Sequence, residues 1–112
     1  MAFNLKEKCD ESKNKEVWYG AKVNKEIKDV YLGLGYLEPG ESGRKGGPSR
    51  GHEEIFYALD GKIELIMKKT KTILKEGELL FIPNGNKIRI NNLSEGRVYF
   101  VIAGGHTKHH KH

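Results

Sequence analysis

The sequence predicts a single all-β domain, and three observations carry that prediction. Apolar runs recur at spacings of about ten residues, giving eight or nine short strands across residues 17–103. Turn residues separate the runs, with 14 glycines in 112 residues. No segment longer than about twelve residues keeps a helical period. That spacing is the signature of a β-sandwich or barrel, and the length suits one domain rather than two.

Residues 1–16 are densely charged, with Phe3 and Leu5 as the only core anchors, and read as an arm or an edge strand. Val17-Trp18-Tyr19 opens a short strand. Residues 29–37 alternate with apolar side chains on both faces, which marks a buried strand, and Gly33 and Gly35 permit close backbone approach there. The loop PGESGRKGGPSRG (39–51) holds five glycines and two prolines in thirteen residues, which excludes regular helix. Residues 54–59 form the next strand, and Asp60-Gly61 is a two-residue hairpin signal leading into a return strand at 62–67. Strands at 70–75, 79–82, 88–93 and 97–103 complete the domain, separated by turns at Glu76-Gly77 and Pro83-Asn84-Gly85. Residues 104–112, GGHTKHHKH, hold four of the five histidines and read as a His-rich flexible tail or an appended tag.

The balance of 37% hydrophobic and 31% charged residues is too apolar for disorder and too polar for a membrane protein. Residues 1–15 contain no apolar stretch of signal-peptide length, and a lone Cys9 allows no internal disulfide. A cytoplasmic location is expected. The formal charge is +5, but Lys108 and Lys111 contribute two of it, leaving +3 that the sequence spreads fairly evenly. No basic stripe with interleaved aromatics is evident, so no nucleic-acid partner and no membrane partner are expected.

Two stretches resemble the paired motifs of the cupins. HEEIFYALDG (52–61) is similar to the first, with Glu54 and Gly61 at the family spacings. GELLFIPNG (77–85), running on to Asn92, is similar to the second, with Gly77, Pro83, Gly85 and Asn92 in place. The resemblance spans about residues 30–103 and implies a double-stranded β-helix, or jelly-roll, barrel. It also implies a metal held by two His and one Glu of the first motif and one His of the second. Here the first-motif His positions fall on Pro48 and Arg50, or in a shifted register on Gly47 and Ser49, and the second-motif His position falls on Ile88. Only Glu54 remains, so neither metal nor cofactor is expected.

Glu54 and Arg50 would both face the cup, and an Arg50–Glu54 ion pair is expected to replace the metal, because a buried carboxylate needs a partner. His52 stands at the barrel mouth, as a general base or as a hydrogen-bonded loop residue. Phe56, Ile88 and Ile90 are expected to line an apolar cup. The candidate ligand-binding set is therefore Arg50, His52, Glu54, Phe56, Ile88 and Ile90, with no catalytic residue assigned.

Arg44, Lys45 and Arg50 give the glycine-rich loop some capacity for anions, but it lacks the order of a nucleotide P-loop. Tyr36, Tyr57 and Tyr99 are candidate acids, since some sugar-processing cupins work without metal. The leading expectation is a metal-independent cupin that binds a small molecule. The alternatives are a metal-free sugar isomerase or epimerase, and a filled barrel acting as an interaction module. Whether the protein is an enzyme stays open. A homodimer is expected, because sandwich edges need cover.

Overall fold

A computed structural model describes residues 2–107. Alternation of apolar and polar residues produces nine strands: β1 (Glu16–Tyr19), β2 (Tyr31–Leu37), β3 (Arg44–Gly46), β4 (His52–Ala58), β5 (Lys62–Met67), β6 (Thr70–Lys75), β7 (Leu79–Ile82), β8 (Ile88–Asn92) and β9 (Val98–His106). They form two antiparallel sheets, a larger one ordered β1-β2-β9-β4-β7 and a smaller one ordered β3-β8-β5-β6. The inward residues of both sheets share one core, in which Phe56 and Phe100 stack at 4.8 Å between ring centres. Filling this space removes Ile63, Leu65, Ile82 and Ile90 from water almost completely. Each such side chain contributes about 1.5–3 kcal/mol of transfer free energy.

Four expectations change. Where an arm or an edge strand is expected over residues 1–16, a helix, α1 (Leu5–Glu11), forms, and only Glu16 joins the edge strand β1. Asn4 caps the helix, its Oδ1 accepting from the Glu7 backbone N–H at 3.0 Å. The helix lies on the outer face of the larger sheet and buries Cys9, whose Sγ–H donates to the Leu34 carbonyl at 3.3 Å. The second change is the turn at Asp60-Gly61, which makes no hairpin. Both edges of β4 are taken, by β7 and β9, so the chain must cross to the other sheet to begin β5. Third, β3 lies inside the glycine-rich loop. Fourth, β9 runs three residues past 103 and carries His106 into the sheet. The rest of the expected tail, residues 108–112, lies outside the described residues.

Charge is not spread evenly either. Outward positions of the smaller sheet, with Lys87 and the Lys68-Lys69 turn, carry eight exposed cations against one carboxylate on the strands, Glu64, while Glu76 and Glu78 follow at the end of β6. The strands of the larger sheet carry no Lys or Arg. Arg44, at the start of β3 in the smaller sheet, is not among the eight, because Glu41 holds it at 2.8 Å and Glu16 at 3.3 Å.

The residues that marked the two motifs secure the loops around the barrel. The Asn92 side-chain amide donates to the carbonyls of Glu38 and Gly96 at 2.9 Å, and its Oδ1 accepts from the Ser94 N–H at 2.7 Å. Asn84 Oδ1 accepts from the Gly51 N–H at 2.8 Å, and the Gly85 N–H donates to the His52 carbonyl. The start of β4 is thereby fixed against the turn that follows β7.

Candidate functional site

Register builds the site. Tyr31 of β2 pairs with Gly104 of β9, and Gly104 also pairs with Glu54 of β4. The three lie in one row across three strands, all facing inward. Gly104 has no side chain, so the Tyr31 ring lies across its backbone and the Tyr31 hydroxyl donates to Glu54 Oε2 at 2.7 Å. A Cβ at Gly104 would stand 2.4 Å from Tyr31 Cζ and 2.5 Å from its oxygen. The glycine is therefore a requirement of the Tyr31–Glu54 bond. In the next row towards the mouth, His52 pairs with His106, their rings 4.5 Å apart, and His106 Nδ1 is hydrogen-bonded to Asp29. Ser49 Oγ sits 3.1 Å from His52 Nδ1.

These rows open into a cleft of about 540 Å³ at the barrel mouth. Trp18, Tyr31, His52 and His106 supply rings, Asp29 a carboxylate, and Val23 and Val30 apolar surface. Trp18 packs edge-on to Tyr31 at 5.7 Å, and Tyr31 edge-on to His52 at 5.8 Å. Lys22 and Lys28 add two cations to the lining, and the volume falls in the range of small-molecule clefts.

Burial acts on both members of the Tyr31–Glu54 pair. Burial pushes the Glu54 carboxyl above its ordinary value, opposed by the Tyr31 hydrogen bond and by His52. Burial also raises Tyr31 strongly, and the adjoining carboxyl raises it further, so its hydroxyl remains a donor throughout the neutral range.

The expected Arg50–Glu54 pair does not form. Arg50 is exposed on the loop before β4, and among the described residues no ion pair includes it. The partner that a buried carboxylate requires is an uncharged hydroxyl from another strand. Phe56 and Ile90 are 1% exposed within the filled core, so they pack the barrel and do not line an open cup. Ile88 is also core, touching only a separate concavity beside β3. Of the expected set, His52 and Glu54 come together. Tyr36 and Tyr99 pack against each other on the outer face near α1, and Tyr57 also faces outward on β4.

Trp18, Asp29, Tyr31, Gly104 and His106 join the site without being among the expected residues. The sequence reading leaves His106 with the tail and prefers other tyrosines to Tyr31. A signal for both is nevertheless present: a glycine pair, Gly104-Gly105, ahead of a histidine at the end of an apolar strand.

Residues 33–104 match the family model described as the cupin domain, about two-thirds of the chain, and the chain belongs to that family. Over 50 residues it is 36% identical to acetate kinase EutQ of Clostridioides difficile strain 630. That match takes in 45% of this chain and 32% of the relative, so the chain spans about a third of the curated protein. Among solved structures, a protein from Thermus thermophilus superposes with a TM-score of 0.69 at 19% identity, over 94% of this chain and 96% of that one. A cupin protein from Bacteroides fragilis gives 0.68 at 17% identity, over 90% and 84%. The cupin domain of Schizosaccharomyces pombe Cnp3 gives 0.63 at 23%, over 70% and 56%. These likenesses establish the fold.

The family's metal does not fit the residues present. Pro48 and Ile88 offer no donor, Arg50 is a cation, and Glu54 is engaged by Tyr31. Among the described residues no group of three or more His, Cys, Asp or Glu side chains is placed to hold an ion.

Proposed function

We propose that this cupin binds a small polar molecule, without a metal, in the mouth cleft between Trp18, Tyr31, His52 and His106. The observation that carries the reading is the 2.7 Å Tyr31–Glu54 bond, which engages the one surviving family carboxylate from inside that cleft. A ligand with a ring or apolar face stacks against Trp18 and Tyr31, and its hydroxyl or carbonyl groups meet His52, His106 and Asp29. Trp18 is the only tryptophan in the chain, so its emission reports on the cleft directly. Titration with a panel of monosaccharides and hydroxy acids is expected to quench or shift that emission for at least one compound. Losing one ligand hydrogen bond in His52→Ala should weaken that compound about tenfold, and Tyr31→Phe, which frees Glu54 at the cleft, should change its affinity too. A hit that binds Tyr31→Phe and His52→Ala as tightly as the parent would refute the site.

A second reading, a metal-free isomerase or epimerase, is favoured by one specific observation. His106 with Asp29 on its Nδ1 is the arrangement of a general base, and a protonated Tyr31 faces the same cleft. Deuterium exchange from solvent into a bound hydroxy-carbonyl compound, abolished in His106→Gln, distinguishes catalysis from binding.

We propose further that the chain forms a homodimer through the larger sheet. Helix α1 covers Leu34 and Tyr36 on its outer face, while the neighbouring Leu32, Ile55, Leu79 and Phe81 stay 41–57% exposed. Leu32 and Ile55 both pair with Ala103, and Ile55 pairs with Phe81, so the four form one apolar patch of the kind that marks an interface. Sedimentation should give a dimer, converted to monomer by Phe81→Lys.

A further inference from the structure

We propose that the outer face of the smaller sheet docks the phosphate backbone of a nucleic-acid duplex, independently of the mouth cleft. Pairing places Lys45, Arg89, Ile66 and Lys71 in one row across β3, β8, β5 and β6. At roughly 4.8 Å per strand the row is about 14 Å wide. Lys87 stands just before β8, two residues from Arg89, and lines one concavity with Lys45 and Arg89. Lys68 and Lys69 form the turn between β5 and β6 at the same end. Lys62 and Lys75 pair with each other towards the opposite end, where Glu76 and Glu78 begin.

All eight cations are exposed, and among the described residues none of them pairs with a carboxylate. The single acid within the face, Glu64, accepts from the Asn91 amide at 2.8 Å instead. A face that keeps like charges this close repels itself and gains most from a polyanion that displaces counterions. Beside Lys45, Lys87 and Arg89 lies a concavity of about 420 Å³ that also presents the Ser49 residue and the Gly46-Gly47 backbone, room enough for a phosphate.

The rest of the face selects among polyanions. None of β3, β5, β6 and β8 carries an aromatic residue, so the stacking platform that single strands require is missing. Ile73 is the only large apolar side chain of these strands that is more than half exposed, too little to insert into a lipid interface. What remains is a flat cationic sheet. A duplex presents about one charge per 1.7 Å of axis, so 14 Å of sheet spans about eight charges. Contacts of this kind position the backbone and read no sequence.

The test is fluorescence anisotropy of the full chain with a labelled 24-base-pair duplex of mixed sequence. With four to six phosphates neutralised, log affinity should fall with log salt at a slope of about −4 to −5, a loss of roughly 250- to 1,000-fold between 50 and 200 mM. Lys71→Glu/Arg89→Glu should bind at least about tenfold more weakly, with a slope shallower by roughly two. Lys13→Glu/Lys25→Glu changes net charge equally, leaves residues 108–112 in place, and should match the parent. Circular dichroism checks that both variants fold. No duplex binding at low salt overturns the proposal. So does an equal loss in the two double variants, or tighter binding to polyglutamate or to phosphatidylserine vesicles than to the duplex.

Discussion

Substituting Gly104 tests whether the site is built by register, and its cost follows from the structure. A Cβ at residue 104 would sit 2.4 Å from Tyr31 Cζ, so Gly104→Ala must push the ring off its place. The Tyr31–Glu54 bond is then lost, and the Glu54 carboxyl, on a residue 6% exposed, stays buried without its partner. A hydrogen bond to a charged group contributes about 1.5–3 kcal/mol, so Gly104→Ala should lose about 3 kcal/mol once the displaced ring is included. Tyr31→Phe alone, which keeps the ring and removes the oxygen, should cost about 2 kcal/mol. In the Gly104→Ala background that oxygen no longer reaches Glu54, and its removal should cost close to nothing. The cycle therefore predicts a coupling of about 2 kcal/mol, measured by urea unfolding at neutral pH with linear extrapolation. Trp18 contacts Tyr31 edge-on, so its emission should shift in Gly104→Ala and much less in Tyr31→Phe. Costs that add to within about 0.5 kcal/mol would refute the reasoning.

Other outcomes follow from neighbouring groups. Glu41 is held down to about 2 from 4.5, chiefly by its hydrogen bond to Arg44, so its contribution exists above pH 4.5 and is lost as pH falls towards 2. Discounted for the solvent around a partly exposed pair, that shift corresponds to about 1–2 kcal/mol, so Glu41→Gln should be less stable by that order at pH 7 and approach the parent near pH 2 in thermal scans. Glu54 behaves oppositely. Its folded value is raised by burial, so the protonated form stabilises at low pH and that contribution fades as pH rises through the folded value. Glu54→Gln keeps an acceptor for Tyr31 and cannot ionise, so its melting temperature should gain on the parent between pH 4 and 7. Phe100→Ala, which removes a ring stacked on Phe56 in the filled core, should cost about 3–5 kcal/mol by chemical denaturation.

Much of the fold is legible in local pattern. Strands β5, β6 and β7 fall where alternation and turn residues put them, because both signals act within a few residues. The helix escapes that reading although Asn4 and Glu7 stand at capping-box spacing, since seven residues show little periodicity. Asp60-Gly61 has hairpin chemistry, but whether two strands pair depends on which edges distant strands have already taken. The site divides the same way. Alternation along β4 turns Glu54 inward as expected, whereas its partner comes from 23 residues upstream, across a glycine on a third strand. Spacing from a motif carries no trace of that row. The cationic face is intermediate: each strand places its lysines outward at period two, yet only the order β3-β8-β5-β6 sets them side by side.

The central claim is that Tyr31 and Glu54 form a metal-independent site. It is tested most directly by calorimetric titration of Mn²⁺, Fe²⁺, Ni²⁺ and Zn²⁺ into the parent chain and into Glu54→Gln. Residues 108–112 are the same in both, so any binding by those histidines cancels. The account predicts superimposable isotherms for every ion. One equivalent bound by the parent and lost in Glu54→Gln would contradict it, and would make Glu54 a metal ligand.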